Sequence, residues 1–132
     1  MLFDNRYGWL MVSKSPRFYI GESTIPGAGK GLFAKVALAK GDRLEVIGVL
    51  ISSGSISDEC TRYADEYKFR VRNKLLIPLG YGGMVNHSLK QPNLKKVING
   101  GRLFLQATHP VQAGEELFIT YSKYARERFN LR

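Results

Sequence analysis

The sequence predicts one mostly β domain with short helices, and three observations carry that expectation. Short runs rich in β-branched and aromatic residues recur between Gly, Ser and Pro. An Asn-Gly-Gly turn joins two of these runs. Helical signal is confined to two short segments, and no repeat or low-complexity linker divides the 132 residues, about one domain's length. A single domain spanning 1–132, with its core at about 17–124, is therefore expected.

In chain order, "RFYIGES" (17–23) and "RLEVIGVLIS" (43–52) each read as a strand. "SDECTRYADEY", about 57–67, carries the first helical signal and opens on a serine or aspartate cap. In "YKFRVRNKLLIP" strict alternation sets Lys68, Arg70 and Arg72 on one face and Phe69 and Val71 on the other, before a turn into 75–77. The basic face of that strand is expected to be solvated. "KKVINGGRLFLQATHPV" forms two strands joined at Asn99-Gly100-Gly101, where a tight hairpin needs residues that tolerate φ > 0. "QAGEE" makes a turn before "LFITYS", whose alternation puts Leu117, Ile119 and Tyr121 on one side. The tail "SKYARERFN" is the second helical segment.

Composition narrows the function classes. At 44% hydrophobic and 23% charged residues the chain is too apolar to be disordered. Twenty Lys and Arg against eleven Asp and Glu give a net charge of +9, which favours polyanions such as nucleic acid or serves as a plain soluble basic surface. Cys60 is the one cysteine, so no intramolecular disulfide forms, and no Cys/His set has zinc-finger spacing. No metal site is expected, because His87 has only His109 and scattered carboxylates to join it. A Cys60–His87 nucleophilic pair would lack an orienting third group, so Cys60 is expected to be buried and structural. "MLFDNRYGWLMVSKS" lacks the long apolar core of a signal peptide, and no run reaches membrane-spanning length. The expectation is a soluble intracellular protein of cytoplasm, nucleoid or a host nucleus, with no membrane partner.

Two glycine-rich stretches invite chemistry. "IPGAGKGLFA" (25–34) fails as a phosphate loop, because Lys30 is followed by Gly. It fails as a dinucleotide fingerprint, because Leu32 takes the last glycine place. What remains is backbone that a ligand can approach closely, or a plain surface turn. "GYGGMVNHSLKQPN" (80–93) sets three glycines ahead of Asn86, His87 and Ser88 and closes on Pro92 and Asn93.

Taken together, "GKGLFA", "NHS" followed by "PN", and "GEELFITY" (114–121) occur in an order and spacing that resemble the SET-domain protein lysine methyltransferases. The resemblance covers about 17–124 and is greatest to the compact viral and bacterial members. It implies a SET-domain (β-clip) fold whose C-terminal segment passes under a preceding loop as a pseudoknot, and S-adenosylmethionine as cofactor. By position, Gly29, Lys30 and Gly31 would offer backbone to the amino-acid end of the cofactor, with Leu32 adjoining. Asn86 and His87 would hold it by backbone and amide contacts, Tyr67 in "EYKF" would line its pocket, and Tyr121 would be the catalytic tyrosine. Tyr124 and Phe129 would either close over the cofactor or pack on the core.

Some positions depart from the family pattern. Leu89, Lys90 and Gln91 stand between Ser88 and Pro92, where many members have two residues beginning with cysteine, and the tail lacks the zinc-binding cysteines of many members. Gly83 and Met84 replace a frequent Arg and Phe. Ile119 stands where Phe or Tyr commonly tunes the number of methyls, so that number is not readable. The resemblance implies a basic protein or peptide substrate, histone-like or otherwise associated with DNA. The acidic group Asp58, Glu59, Asp65 and Glu66 either attracts its tail or forms a solvated helix face. A homodimer stays open. The alternative is a non-catalytic basic β domain that binds nucleic acid or a nucleoprotein partner through Lys68, Arg70, Arg72, Lys95, Lys96 and Arg102, and an enzyme that docks through the same basic face combines the two.

Overall fold

The computed structural model describes residues 15–128. Residues 1–14, Phe129 and the side chain of Tyr124 lie outside the described residues. The strands are β1 (Phe18–Glu22), β2 (Lys30–Ala34), β3 (Arg43–Glu45), β4 (Gly48–Ser52), β5 (Phe69–Val71), β6 (Lys74–Pro78), β7 (Asn86–His87), β8 (Leu94–Asn99), β9 (Arg102–Ala107) and β10 (Glu116–Ile119). Helix α1 (Ile56–Cys60) precedes a 3₁₀ turn at Arg62–Ala64, a second 3₁₀ turn occupies Tyr81–Met84, and helix α2 is Lys123–Arg128. The expected mostly β architecture with short helices is what the chain adopts.

The strands form three sheets, ordered β1-β2-β10-β7, β3-β9-β8 and β4-β6-β5. Local turn chemistry explains the hairpins. Asn99 pairs with Arg102 across Gly100 and Gly101, whose φ values of 61° and 76° are those a tight two-residue turn demands. Non-local pairing builds the first sheet. β10 lies antiparallel to β2, with Leu117 opposite Leu32, and parallel to β7, with Phe118 opposite Asn86. Leu32, Leu103, Leu105, Leu117 and Val111 are the largest side chains buried almost completely.

Several expectations are corrected. The run 43–52 is two strands in different sheets. Val46 N–H donates to Leu103 O and Ile47 O accepts from Leu79 N–H, both at 2.9 Å, so the chain changes sheets between them. The helix expected over 57–67 ends at Cys60. Thr61 Oγ1 takes the Ser57 carbonyl at 2.6 Å, its N–H turns to Asp58 O, and no residue of α1 is buried to reward another turn. Ser55 caps α1 by accepting from Asp58 N–H at 3.2 Å. The alternation expected in 117–121 does not divide inside from outside, because all four residues of β10, a central strand, are buried. Cys60 is exposed, since α1 packs no face on the core.

Lys68 is the largest departure. Its side chain is only 4% exposed and its ammonium sits 2.8 Å from Asp58 Oδ1 and 2.7 Å from Asp65 Oδ1. It is therefore a buried tether between the α1 segment and β5, not part of a solvated face. Arg102 is likewise engaged, with Nη2 and Nε gripping the Glu45 carboxylate at 2.6 and 2.9 Å. Two of the six residues proposed for a nucleic-acid face thus have internal carboxylate partners. Among the described residues no helix is long and apolar enough to cross a membrane, and no group of three or more His, Cys, Asp or Glu is placed to hold a metal ion.

Candidate active site

The parallel pairing of β7 with β10 sets Asn86 and His87 beside Phe118 and Ile119 and carries the chain directly into Tyr121. Ser88 N–H donates to Ile119 O at 2.9 Å, and Tyr121 N–H donates to His87 Nδ1 at 2.9 Å. The phenol end is fixed as well: Tyr121 OH donates to Val85 O at 3.1 Å, and the His87 and Tyr121 ring centroids are 5.1 Å apart. Arg126 of α2 folds back to donate to Tyr121 O at 3.2 Å. Burial pushes the Tyr121 phenol above its ordinary pKa, and Tyr67 and Glu66 add to the rise.

On the other side of Asn86 lies the glycine-rich turn. Ser23 N–H closes it on Gly29 O at 2.8 Å. Gly29 has φ of 76° and no atom within 4 Å of where a Cβ would stand, so its backbone faces open space. The Asn86 amide donates to Lys30 O at 3.0 Å, Ser23 Oγ at 3.2 Å and Glu116 Oε2 at 3.1 Å. Glu116, 5% exposed, also accepts from Ser23 Oγ at 2.8 Å, Thr24 N–H at 2.7 Å and Thr24 Oγ1 at 2.6 Å. Burial pushes this carboxyl up, but the bonds from Thr24, Asn86 and Ser23 outweigh it and leave it below the ordinary carboxylate range.

A cavity of about 990 Å³ opens over this framework, and Gly29, Lys30, Tyr67, Asn86, His87 and Tyr121 line it. A second cavity of about 350 Å³ is lined by Lys68, Phe69, Arg70 and Lys96, among others. Glu66, Tyr67, Gly83, Val85 and Tyr121 belong to both walls. Tyr121 therefore stands where two cavities adjoin. The SET domain family model matches residues 29–122.

The chain belongs to the SET-domain family. The SET domain resembles the crystal structure of a Plasmodium falciparum protein assigned as a histone methyltransferase, with TM-score 0.65 and 27% identity over 83% of this chain and 96% of that one. It resembles an active polycomb repressive complex 2 in its basal state, with TM-score 0.67 and 27% identity, and in its stimulated state, with TM-score 0.67 and 24% identity. Those alignments cover 80% and 83% of this chain but 15% and 16% of the polycomb chains, so the SET domain spans a small part of their length. No curated protein matches the sequence.

The SET domain brings six of the expected site residues to one cavity, while Gly31 and Leu32 lie behind it. Gly31 faces Glu116 and Asn86 beneath the turn, and Leu32 is wholly in the core. Lys30 contributes its carbonyl, since its ammonium pairs with Glu22 at 2.8 Å on the surface. Tyr124 has its backbone in α2. Sequence reasoning missed Glu116, Ser23 and Thr24, whose signal was an acid in "GEEL" and a Ser-Thr pair before the glycine turn. Asn93 closes the glycine-rich stretch 80–93. It is 6% exposed, donates to Glu116 O at 2.9 Å and accepts from Phe118 N–H at 2.8 Å, and so holds β10 in place.

Proposed function

We propose that this SET domain is a protein lysine N-methyltransferase that uses S-adenosylmethionine and acts on a histone or another basic, DNA-associated protein. The observation that carries the reading is the Tyr121 phenol, anchored on Val85 O at the junction of a larger and a smaller cavity. Membership of the SET family and likeness to a protein assigned as a histone methyltransferase support methyl transfer.

The residues fit the cofactor. A cavity of about 990 Å³ suits a nucleoside with an amino-acid tail, its glycine turn leaves open backbone at Gly29, and Ile25, Met84 and Leu89 give apolar cover. Gly29 and Lys30 backbone would meet the amino-acid end, while Asn86, His87 and Tyr67 would flank the rest. When bound, S-adenosylmethionine supplies a sulfonium methyl whose leaving group needs no acid.

Alignment is then the chain's main task. A lysine amine with pKa of about 10.4 is on the order of 0.1% neutral near pH 7.4, so the half-buried wall around Tyr121 favours the free amine by desolvation. Because the Tyr121 proton is directed to Val85 O, the phenol oxygen keeps its lone pairs for an amine N–H. That contact aims the nitrogen lone pair along the slot. The phenol itself stays protonated, since burial holds its pKa high.

Incubation with methyl-labelled cofactor and a histone panel tests this. Wild type is expected to transfer label and to melt later with cofactor. Tyr121→Phe should keep the melting shift and lose up to about 100-fold in kcat, the size of a small misalignment. Wild-type kcat/KM should rise with pH as the amine deprotonates. Absence of both label transfer and melting shift in wild type would overturn the reading.

A further inference from the structure

We infer that the smaller cavity recognises an anionic side chain, a carboxylate or a phosphate, flanking the target lysine, and that Arg70 and Lys96 hold it. This deepens the proposed methyl transfer and rests on that reading of the site. Arg70 extends from β5 and Lys96 from β8, strands of different sheets, yet both line the cavity that ends at Tyr121. Lys96 Nζ lies 5.9 Å from the centre of the Phe69 ring, so one side of the ammonium faces an aromatic wall in place of water.

Two cations from separate sheets do not meet at one wall without repelling each other. Burial first, and then Arg70, push the Lys96 pKa below its ordinary value. Asp58 and Asp65 both close on the buried Lys68, whose single charge offsets one of theirs, and Arg70 feels Asp58 at longer range without forming an ion pair with it. Among the described residues neither Arg70 nor Lys96 has a carboxylate within ion-pair distance. Glu66, the remaining acid of this wall, bears on the Tyr121 phenol.

The charge in the groove is therefore segregated. Glu66 beside Tyr121 suits the arriving lysine, and the Arg70–Lys96 pair suits an anion a short way along the same peptide. A substrate anion would gain attraction to two cations and relieve their repulsion at once.

The test uses the full chain and single-lysine peptides that carry Asp, phosphoserine, Ala or Arg at successive positions on either side of the lysine. At one position wild type should prefer Asp or phosphoserine to Ala about fivefold in kcat/KM, the scale of a partly exposed charge pair. The Asp and phosphoserine arms distinguish carboxylate from phosphate. The charge-reversed double variant, Arg70→Glu with Lys96→Glu, should prefer Arg at that position. Peptide binding by fluorescence anisotropy gives the same ranking without turnover. Methyl transfer with no flanking preference, or a preference unchanged in the variant, overturns the inference while the methyltransferase reading stands. Ranked binding with no transfer from any peptide sinks the methyltransferase reading and leaves the anion site supported.

Discussion

A methyl group on residue 31 would run into the Glu116 carboxylate and come within 3.1 Å of Asn86 Nδ2. A crowded polar cluster requires glycine there, and its members Glu116 and Asn86 come from segments remote in sequence. Gly31→Ala is expected to cost about 1–3 kcal/mol by overpacking, seen as a lower Tm, and to weaken the melting shift produced by cofactor. Glu116 itself read as one charge of a surface turn, because its burial depends on Ser23, Thr24 and Asn86 from distant segments. Its pKa is depressed in the fold, so the stability it contributes is present above the ordinary carboxylate range and is lost as pH falls through the lowered value. Tyr121, Asn86 and His87 were legible because the family resemblance gives each a role, whereas Glu116 lies in the same "GEELFITY" stretch without one.

Elements with local causes were legible, and those with remote causes were not. The turns at Gly100-Gly101 and Gly114 announce themselves by positive φ. The break between β3 and β4 does not, since Val46 and Ile47 continue an apolar run and only their partners Leu103 and Leu79 differ. Lys68 shows the same limit, because alternation placed it on a face while Asp58 and Asp65 decide its burial. That tether has a definite pH window. Bonds from Lys68 first, then Gly54, lower the Asp58 pKa; burial lowers that of Lys68, but Asp58 and Asp65 outweigh it and raise it. The pair is intact between those limits, weakens as pH falls through the lowered Asp58 value, and weakens again as pH rises through the raised Lys68 value. Protection factors of the amides across 56–68, exchange being taken relative to the intrinsic rate at each pH, are expected to fall in acid for wild type. Lys68→Met should show the lower protection already at neutral pH.

At the scale of the whole molecule, β10 joins what the sequence keeps apart. It pairs with β2 and β7, its Leu117 and Ile119 are 0% and 3% exposed, and Asn93 bonds both a carbonyl and an amide of its backbone. A chain stopped before Glu115 is therefore expected to lose its cooperative melting transition, measured by circular dichroism, because two sheet strands lose their common neighbour. Strand order β1-β2-β10-β7 was not legible in any local pattern, and only the resemblance carried by the three motifs together implied that they converge. A ribosome adding roughly 5–20 residues per second emits the other described strands, β1 to β9, first. During that interval the edges of β2 and β7 that β10 will cover stay open on the nascent polypeptide. The junction at Tyr121 is withheld from every translation product that stops short of it.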